Sequence, residues 1–525
     1  MLDSNLNKLI NYKSDMKKNL LYAAAIAMGL PILSACKREL NVNPQNRIPV
    51  ENFYKTEADA FAGLVSVYDR FAFQAGGLYD KAAICDVAGD DQQTGGGSST
   101  DINDLQITEH YTLNPTTGPQ SYLWSRGFTG IYRANVLLSK LPGVSMDAAK
   151  KARFAAETKV MRAAFYFDLV TFFESIPLLE GTLSIDSLYT VSQTTPDKIY
   201  AYVEKDLNEA IPDLPLTVPA ASEGGRLTQG SAKALLGKVL LFEKKWQAAA
   251  DQFNPVNGPT PGGAASTYGY KLVPVFADLF KSTNKFNTES VIEFVHSSKS
   301  SGNWVDAGAS EGNLLCITTG PRSYARLNND TTAPDFISGY GFLIFSEDFA
   351  KNVMFGDPRY TATISNVDSL KKAGKVTYSE SYNGKGYFLK KFIGLNPNKA
   401  QTIPELNFAQ DEYEIRLADT YLMEAEALMN AGASVGAGSR ALTLINAVRA
   451  RVGLAALTTV TQDAIEKERR LELAGEGQRF LDLIRWGKAA TMLAFKGFVA
   501  GRNNVFPIPQ AELDNTKLVQ NKEWK

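Results

Sequence analysis

The sequence predicts a mostly α-helical protein with a loop-rich portion in its middle, and three observations predict it. Apolar residues recur every three to four positions over long stretches, which is the spacing of a buried helical face. One stretch has the pattern of two helices joined by a short turn. Between the helical halves, residues 254–340 are rich in Gly, Pro, Ser, Thr and Asn, which favour loops.

The N-terminal residues have the pattern of an export signal. Residues 16–36 read MKKNLLYAAAIAMGLPILSAC, in which two lysines precede an apolar run. That run is shorter than the roughly 20 residues that a membrane-spanning helix needs. Residues 33–36 resemble a bacterial lipobox, so we expect cleavage before Cys36, lipidation of Cys36 and anchoring to a membrane through acyl chains.

The composition of residues 36–525 is that of a globular protein able to bury one large core or two joined cores. Removing residues 1–35 takes away four lysines and two aspartates, which changes the net charge from −1 to about −3. This small charge, without a Lys/Arg tract, does not favour nucleic-acid binding. Cys85 and Cys316 could form one disulfide or remain buried free thiols, and their spacing does not decide.

Amphipathic stripes predict helices along most of the chain. In chain order they occupy residues 61–68, 154–172, 417–428 and 441–448. Thr195, Pro196 and Asp197 form a helix-start signal before KIYAYVEKDLNEAI, and two prolines end that segment. In the loop-rich portion, SVIEFVH at residues 290–296 has the composition of a short strand.

Residues 232–253, AKALLGKVLLFEKKWQAAADQF, resemble one tetratricopeptide unit. Gly237 on the first helix and Ala249 on the second are small residues that let paired helices approach closely. Residues 412–451 and 463–493 show similar helix pairs, so we expect a scaffold of degenerate repeats.

The segment ERRLELAGEGQRFLDLIRWGKAA, residues 468–490, concentrates charged residues on a predicted helix whose apolar face starts at Phe480. Gly475 and Gly477 interrupt the helical pattern between its two halves. We expect architecture here and not catalysis, because no nearby loop supplies a cleft. The charges predict i, i+3 pairs worth a few tenths of a kcal/mol each in an isolated helix: Arg469 with Glu472, Arg479 with Asp482, and Asp482 with Arg485.

No catalytic motif in the sequence is complete. Residues 308–312, GASEG, fit the nucleophile elbow of α/β-hydrolases, but both histidines, His110 and His296, precede Ser310, whereas that fold needs a later one. Two scattered histidines and two scattered cysteines match no zinc spacing. The sequence therefore predicts no enzyme, no cofactor and no metal motif. Paired carboxylates for glycoside cleavage stay open, because their separation is a spatial property.

Several stretches, in this order, resemble the SusD/RagB family, the lipidated nutrient-binding proteins of Bacteroidota outer membranes. The resemblance spans essentially all of residues 36–525, and its most specific part is ERRLELAGEGQRFLDLIRWGKA. The other stretches are ENFYKTEADAFAGLVSVYD, IYRANVLLSKL, ETKVMRAAFYFDLVTFFESIPLL, GRLTQGSAKALLGKVLLFEKKWQAAADQF, DPRYTATI, RLADTYLMEAEALMNAG and VFPIPQAELDNTKLVQNKEW.

The resemblance implies a SusD-like fold, in which tetratricopeptide-like helix pairs support a loop-rich, ligand-facing portion. It divides the chain into a signal peptide (1–35), an N-terminal helical part (36–253) and a loop-rich segment with a C-terminal helical part (254–525), packed as one compact unit. It further implies a lipid-anchored outer-membrane protein, facing the cell exterior, that binds oligosaccharide or polysaccharide without catalysis. Such a protein delivers its ligand to a SusC-like TonB-dependent transporter. Lys37 and Arg38 follow Cys36, where exported family members often carry acidic residues.

Three other functions remain open from the sequence. The RagB side of the family implies peptide capture, which polar loops with few aromatic residues would favour. A lipidated glycosidase would turn over the same glycans that it binds. A helical-repeat adaptor would bind neither a glycan nor a peptide.

A glycan site needs exposed aromatic rings beside hydrogen-bonding groups, because sugars present apolar C–H faces together with hydroxyls. Two loops fit this description, and rigid scaffolds commonly carry binding residues on loops. Trp304 stands out because no helical stripe would bury it, although it could also anchor a long loop. Asp90 and Asp91 could bind sugar hydroxyls or calcium, although no motif supports calcium. The candidate ligand-binding residues are Tyr79, Asp90, Asp91, Trp304, Arg322 and Tyr324.

Overall fold

Amphipathic helices make up most of the structure, as the apolar spacing predicts. The structure is a computed structural model that describes residues 53–72, 75, 77–299, 311–400 and 402–525. Within it, Thr56–Lys525 form one compact unit. The predicted signal peptide, Cys36 and Trp304 lie outside the described residues.

The α-helices of the described part are numbered here in chain order. They are α1 Glu57–Ala72, α2 Lys81–Ala88, α3 Asn103–Glu109, α4 Gln120–Lys140, α5 Ala148–Phe173, α6 Ile185–Leu188, α7 Pro196–Ala210, α8 Ala220–Glu223, α9 Gln229–Phe242, α10 Trp246–Asn257, α11 Leu315–Thr318, α12 Tyr360–Thr363, α13 Val367–Lys372, α14 Leu417–Asn430, α15 Arg440–Arg451, α16 Gln462–Glu472, α17 Arg479–Arg485, α18 Ala489–Met492 and α19 Gln510–Asn515.

The strands are short and pair antiparallel in twos within the described residues: β1 with β4, β2 with β8, β3 with β6 and β5 with β7. Their bounds are β1 Gln92–Gly95, β2 Ser290–Phe294, β3 Arg322–Arg326, β4 Phe342–Phe345, β5 Ile364–Asn366, β6 Val376–Ser379, β7 Tyr387–Leu389 and β8 Glu412–Arg416.

Helix α5 confirms the longest predicted stripe. Phe154, Met161, Phe165 and Leu169 are all buried along it, and it packs against α4 and α7. Helix α7 starts with Pro196 at its first position, as the Thr-Pro-Asp signal predicts, because the fixed φ of proline suits that position.

Helices α9 and α10 form the predicted tetratricopeptide-like pair. Thr228 and Ser231 close the N-terminus of α9 with a capping box, in which each side chain accepts a backbone N–H of the other residue. Gly237 lies directly against the ring of Phe253 on α10, so that a Cβ atom at Gly237 would be 2.7 Å from the ring. The pair then packs on α14 through α10.

The other two predicted helix pairs need corrections. Residues 412–416 form strand β8 and not the start of a helix, because they pair antiparallel with β2. Residues 463–493 contain α16 and two shorter helices instead of one pair. Gly475 and Gly477 separate α16 from α17 with φ values of 75° and 71°, which glycine adopts without steric cost.

Two further findings concern cysteine and membrane spans. Cys85 and Cys316 are both buried free thiols, and burial raises the pKa of each. Among the described residues, none of the helices combines the length and the apolar character that crossing a membrane requires.

Candidate ligand-binding site

Tyr79 and Tyr122 form a pair of stacked aromatic rings at the surface. Their ring centroids are 4.0 Å apart and the ring planes differ by 22°. Tyr79 lies in the turn before α2 and is partly buried, whereas Tyr122, in the first turn of α4, is 40% exposed. The buried guanidinium of Arg126 donates a hydrogen bond to the backbone carbonyl of Tyr79, which holds this turn against α4.

The second part of the site is a polar pair on a glycine loop. The Arg322 guanidinium lies 3.7 Å from a carboxylate oxygen of Asp101, and both side chains are about one-third exposed. Asp101 also accepts the backbone N–H of Gly97 at 2.7 Å. Arg322 in turn donates to the backbone carbonyl of Tyr340 at 3.0 Å. These contacts join the loop after β1 to the start of β3.

Glycine is required where this loop crosses the neighbouring strand. Gly95 and Gly96 both have positive φ, and a Cβ atom at either would lie 2.5 Å or less from Gly341 or Phe342. The backbone N–H of Gly96 donates to the Gly341 carbonyl at 2.8 Å. The glycines therefore let the loop pack closely against residues 341–342. Asp101 in this loop lies beside Arg322.

Asp104 contacts the stacked pair and is close in sequence to the polar pair. It lies three residues after Asp101, in the first turn of α3, and interacts with the Tyr79 hydroxyl. Leu78, next to Tyr79, and Tyr340 pack on the same hydrophobic cluster. We call the surface formed by Tyr79, Tyr122, Asp101, Asp104 and Arg322 the Tyr79–Arg322 face.

The protonation of this face follows from its partial burial. Burial raises the pKa of Tyr79, and the charge of Asp104 raises it further, so the hydroxyl stays a hydrogen-bond donor. Burial also raises the pKa of Asp104, against the hydrogen bond from Tyr79. The face thus offers two flat rings, one guanidinium donor and two carboxylate acceptors within a short stretch of surface.

Asp90 and Asp91, predicted to contact ligand, instead lie buried against the C-terminal helices. Both carboxylate oxygens of Asp90 accept hydrogen bonds from Arg479, at 2.7 and 2.9 Å. Asp91 accepts one from Arg470 at 2.8 Å. Against the effect of burial, the two arginines hold the pKa of Asp90 below its usual range. Both carboxylates are engaged by arginine, so the proposed site does not include them.

Arg322 and Tyr324 both lie on strand β3 but differ in their surroundings, although residues two apart on a strand normally share a face. Ser323 between them has a φ of 50°, and the pairing of β3 with β6 shifts register there. Arg322 therefore stays partly exposed, whereas Tyr324 turns into a core cluster and donates its hydroxyl to the Pro334 carbonyl at 2.7 Å. Tyr79 and Arg322 therefore each contact the segment 101–104, whereas Tyr324 does not share this surface.

Sequence reasoning missed Tyr122, Asp101 and Asp104. Tyr122 carried a usable signal, because it falls outside the apolar stripe of α4, which buries its neighbours Leu123 and Trp124. Asp101 and Asp104 carried no such signal, since they approach Arg322 and Tyr79 only through the folded chain. In the described ranges, no group of three or more His, Cys, Asp or Glu side chains is arranged to hold a metal ion.

Two family models match the sequence. One, described as the SusD family, matches residues 357–504, and another, described as starch-binding associating with outer membrane, matches residues 62–241. Among curated proteins, the chain is 24% identical over 495 residues to SusD-like protein P25 of Formosa agariphila, covering 86% of this chain and 87% of that protein.

Solved structures agree with these matches. A laminarin binding SusD-like protein is 45% identical, with a TM-score of 0.85 over 89% of this chain and 100% of that chain. Surface glycan-binding protein A from Bacteroides thetaiotaomicron, solved in complex with laminarihexaose, is 24% identical. It covers 89% of this chain and 100% of that chain with a TM-score of 0.77, a likeness that bears on the fold.

Proposed function

Because the chain belongs to the SusD family, we propose that it is a cell-surface lipoprotein that binds a glycan and delivers it to a SusC-like TonB-dependent transporter. The family supports the transporter as partner, and the lipobox at residues 33–36 supports the anchor at Cys36. The match to the family model described as starch-binding associating with outer membrane supports an outer-membrane location.

We further propose laminarin-type oligosaccharide as the ligand class. The laminarin binding SusD-like protein, which is 45% identical to this chain and matched over 100% of its own length, supports this class. The binding proteins among the relatives support capture without hydrolysis. The ligand would therefore leave this protein chemically unchanged.

The stacked pair of Tyr79 and Tyr122 is the observation that carries the proposal. Tyr122 is 40% exposed, and the face of its ring that is not stacked on Tyr79 offers a flat apolar surface on which the C–H face of a sugar ring can lie. Arg322, Asp101 and Asp104 beside them offer donors and acceptors for sugar hydroxyls. Because neighbouring hydrogen bonds hold these groups in place, binding costs little ordering of side chains.

We expect Tyr122→Ala to weaken laminarihexaose binding by at least about 1 kcal/mol, or roughly fivefold in Kd, because it removes one ring of the stack. Isothermal titration calorimetry measures this, with maltohexaose as the comparison sugar. Tyr132→Ala is a matched control, because Tyr132 lies on the same helix and is 57% exposed but outside the Tyr79–Arg322 face.

Equal affinities for the two tyrosine variants would contradict the placement of the site. Release of shorter sugars from laminarihexaose by the wild-type protein, followed by chromatography, would contradict binding without catalysis and favour a glycosidase. Binding of peptides in place of sugars would favour the RagB-like alternative.

A further inference from the structure

A cavity lies between the turn before α9 and the segments before β2, and shares no lining residue with the Tyr79–Arg322 face. Its volume is about 220 Å³. Its floor is buried and formed by Thr228, Ser231, Tyr270 and Glu293, whereas Thr217 and Thr288 on its rim are exposed. The cavity therefore opens to solvent on one side and carries hydroxyl groups on its floor and rim.

The hydroxyls of the floor are held in place by the fold. The Tyr270 hydroxyl lies 3.0 Å from that of Thr228, and Ser231 donates to the Val291 carbonyl at 2.7 Å. Thr228 also caps α9, so its position is set by the helix start. A ligand in the cavity would meet donors and acceptors that are already ordered, which lowers the entropy cost of binding.

Phe286 supplies an aromatic wall in a strained backbone conformation. Its φ is 52°, a left-handed value that bulky side chains rarely adopt. In this conformation its ring lies so close to Gly224 that a Cβ atom at Gly224 would be 2.4 Å from the ring. The backbone N–H of Phe286 donates to Glu293 at 3.0 Å. Such strain persists where surrounding contacts over-determine it, and it concentrates at ligand sites.

The cavity has little free charge. Among the described residues that line it, Arg226 and Glu293 are the only Arg, Lys, His, Asp or Glu side chains. Arg226 is bound by the carboxylates of Glu157 and Glu223. Burial, with the neighbouring charge of Asp411, raises the pKa of Glu293 to about 8, so it is mostly neutral at pH 7. An ionic ligand would find no uncompensated partner, whereas a neutral polyol needs none.

We infer that this cavity is a second carbohydrate site, which binds a single neutral sugar ring through Thr228, Ser231, Tyr270 and the ring of Phe286. The volume supports one ring and not a chain, because it lies below the roughly 300 Å³ at which sites for larger ligands begin. This inference does not depend on the function proposed for the Tyr79–Arg322 face.

Saturation-transfer NMR with methyl β-D-glucopyranoside tests the inference on the mature full chain. We expect the probe signal to persist in Tyr122→Ala, where the stacked pair is broken. The double variant Tyr122→Ala/Thr288→Trp carries an additional large side chain on the rim of the cavity. Its probe signal should be at least fivefold lower than that of Tyr122→Ala. Thr459→Trp is the matched control, because Thr459 is also exposed and does not line the cavity.

A second variant distinguishes loss of the site from misfolding of the protein. Tyr270→Phe keeps the ring but removes the floor hydroxyl, and it should weaken the probe at least threefold while the far-ultraviolet circular dichroism stays unchanged. Absence of probe signal in Tyr122→Ala, or equal signals with Thr288→Trp and Thr459→Trp, would overturn the inference. Laminarihexaose titrated into Thr288→Trp reports separately on the Tyr79–Arg322 face, so that failure of one site is distinguishable from failure of the other.

Discussion

Arg479, in the charged segment 468–490, forms an ion pair with a residue far away in the sequence. The sequence predicts a local pair with Asp482, but Arg479 binds Asp90, which lies 389 positions away. Asp482 is bound instead by Arg469 at 2.8 Å and by Arg485 at 2.7 Å, so one of the three predicted local pairs is confirmed. The charged segment therefore acts through long-range, buried contacts.

We expect Arg479→Ala to lower the free energy of unfolding by about 3 kcal/mol, because it leaves the buried carboxylate of Asp90 with Arg470 as its remaining partner. Urea unfolding measures the change, and calorimetry with laminarihexaose should show an unchanged Kd for the folded variant. Lys467→Ala is the control, since Lys467 is exposed on the preceding helix α16 of the same charged segment. A folded Arg479→Ala variant that lost only binding would contradict the architectural role.

At the scale of elements, close helix contact limits which residues the scaffold accepts. Gly237 on α9 has no room for a Cβ atom because the ring of Phe253 on α10 occupies that space. Small residues at such crossings are the feature by which the sequence predicts this helix pair. The contact sets the spacing of α9 and α10, and through α10 their packing on α14.

We predict that Gly237→Ala destabilises the protein by about 1–3 kcal/mol through overpacking, although alanine favours a helix by roughly 1 kcal/mol over glycine. Thermal unfolding monitored by circular dichroism would report this as a lower Tm. Gly181→Ala is the matched control, because a Cβ atom at Gly181 would meet nothing within 4 Å. A Tm at or above that of the wild type for Gly237→Ala would show that the helix pair can separate without cost.

At the scale of the whole molecule, one buried ion network joins distant parts of the chain. Arg416 at the end of β8 binds Glu289, Glu472 and Glu476, at 3.0, 2.6 and 2.7 Å. Glu472 is also bound by Arg359 and Arg451, and Glu468 by Arg359. Segments from the loop-rich portion, the central strand pair and the C-terminal helices thus meet at one cluster.

The network makes stability depend on acid. Burial alone raises the pKa of Glu472, but Arg451, Arg416 and Arg359 outweigh it and hold this pKa well below its usual range. A carboxylate with a depressed folded pKa stabilises the protein fully above its unfolded pKa, which is about 4.3, and loses that contribution as pH falls below it. The wild-type protein should therefore lose stability steeply between about pH 5 and pH 3.

We expect Glu472→Gln to cost about 3–5 kcal/mol at pH 7, because three buried arginines lose a shared partner. Its further loss of stability between pH 5 and pH 3 should be smaller than that of the wild type. Urea unfolding at a series of pH values measures both slopes, with the exposed Glu180→Gln as control. Parallel slopes for Glu472→Gln and the wild type would show that Glu472 does not carry the acid dependence.

The sequence by itself determined the mostly helical fold, the stripe of α5, the start of α7 and the pairing of α9 with α10. These features are local, because apolar spacing and turn residues report which side of a segment is buried. Only the tertiary structure decided which charges pair, that Cys85 and Cys316 remain free thiols, and that Tyr122 stacks on Tyr79. Such contacts join residues far apart in the chain, and no local pattern encodes which of many possible partners the fold brings within reach.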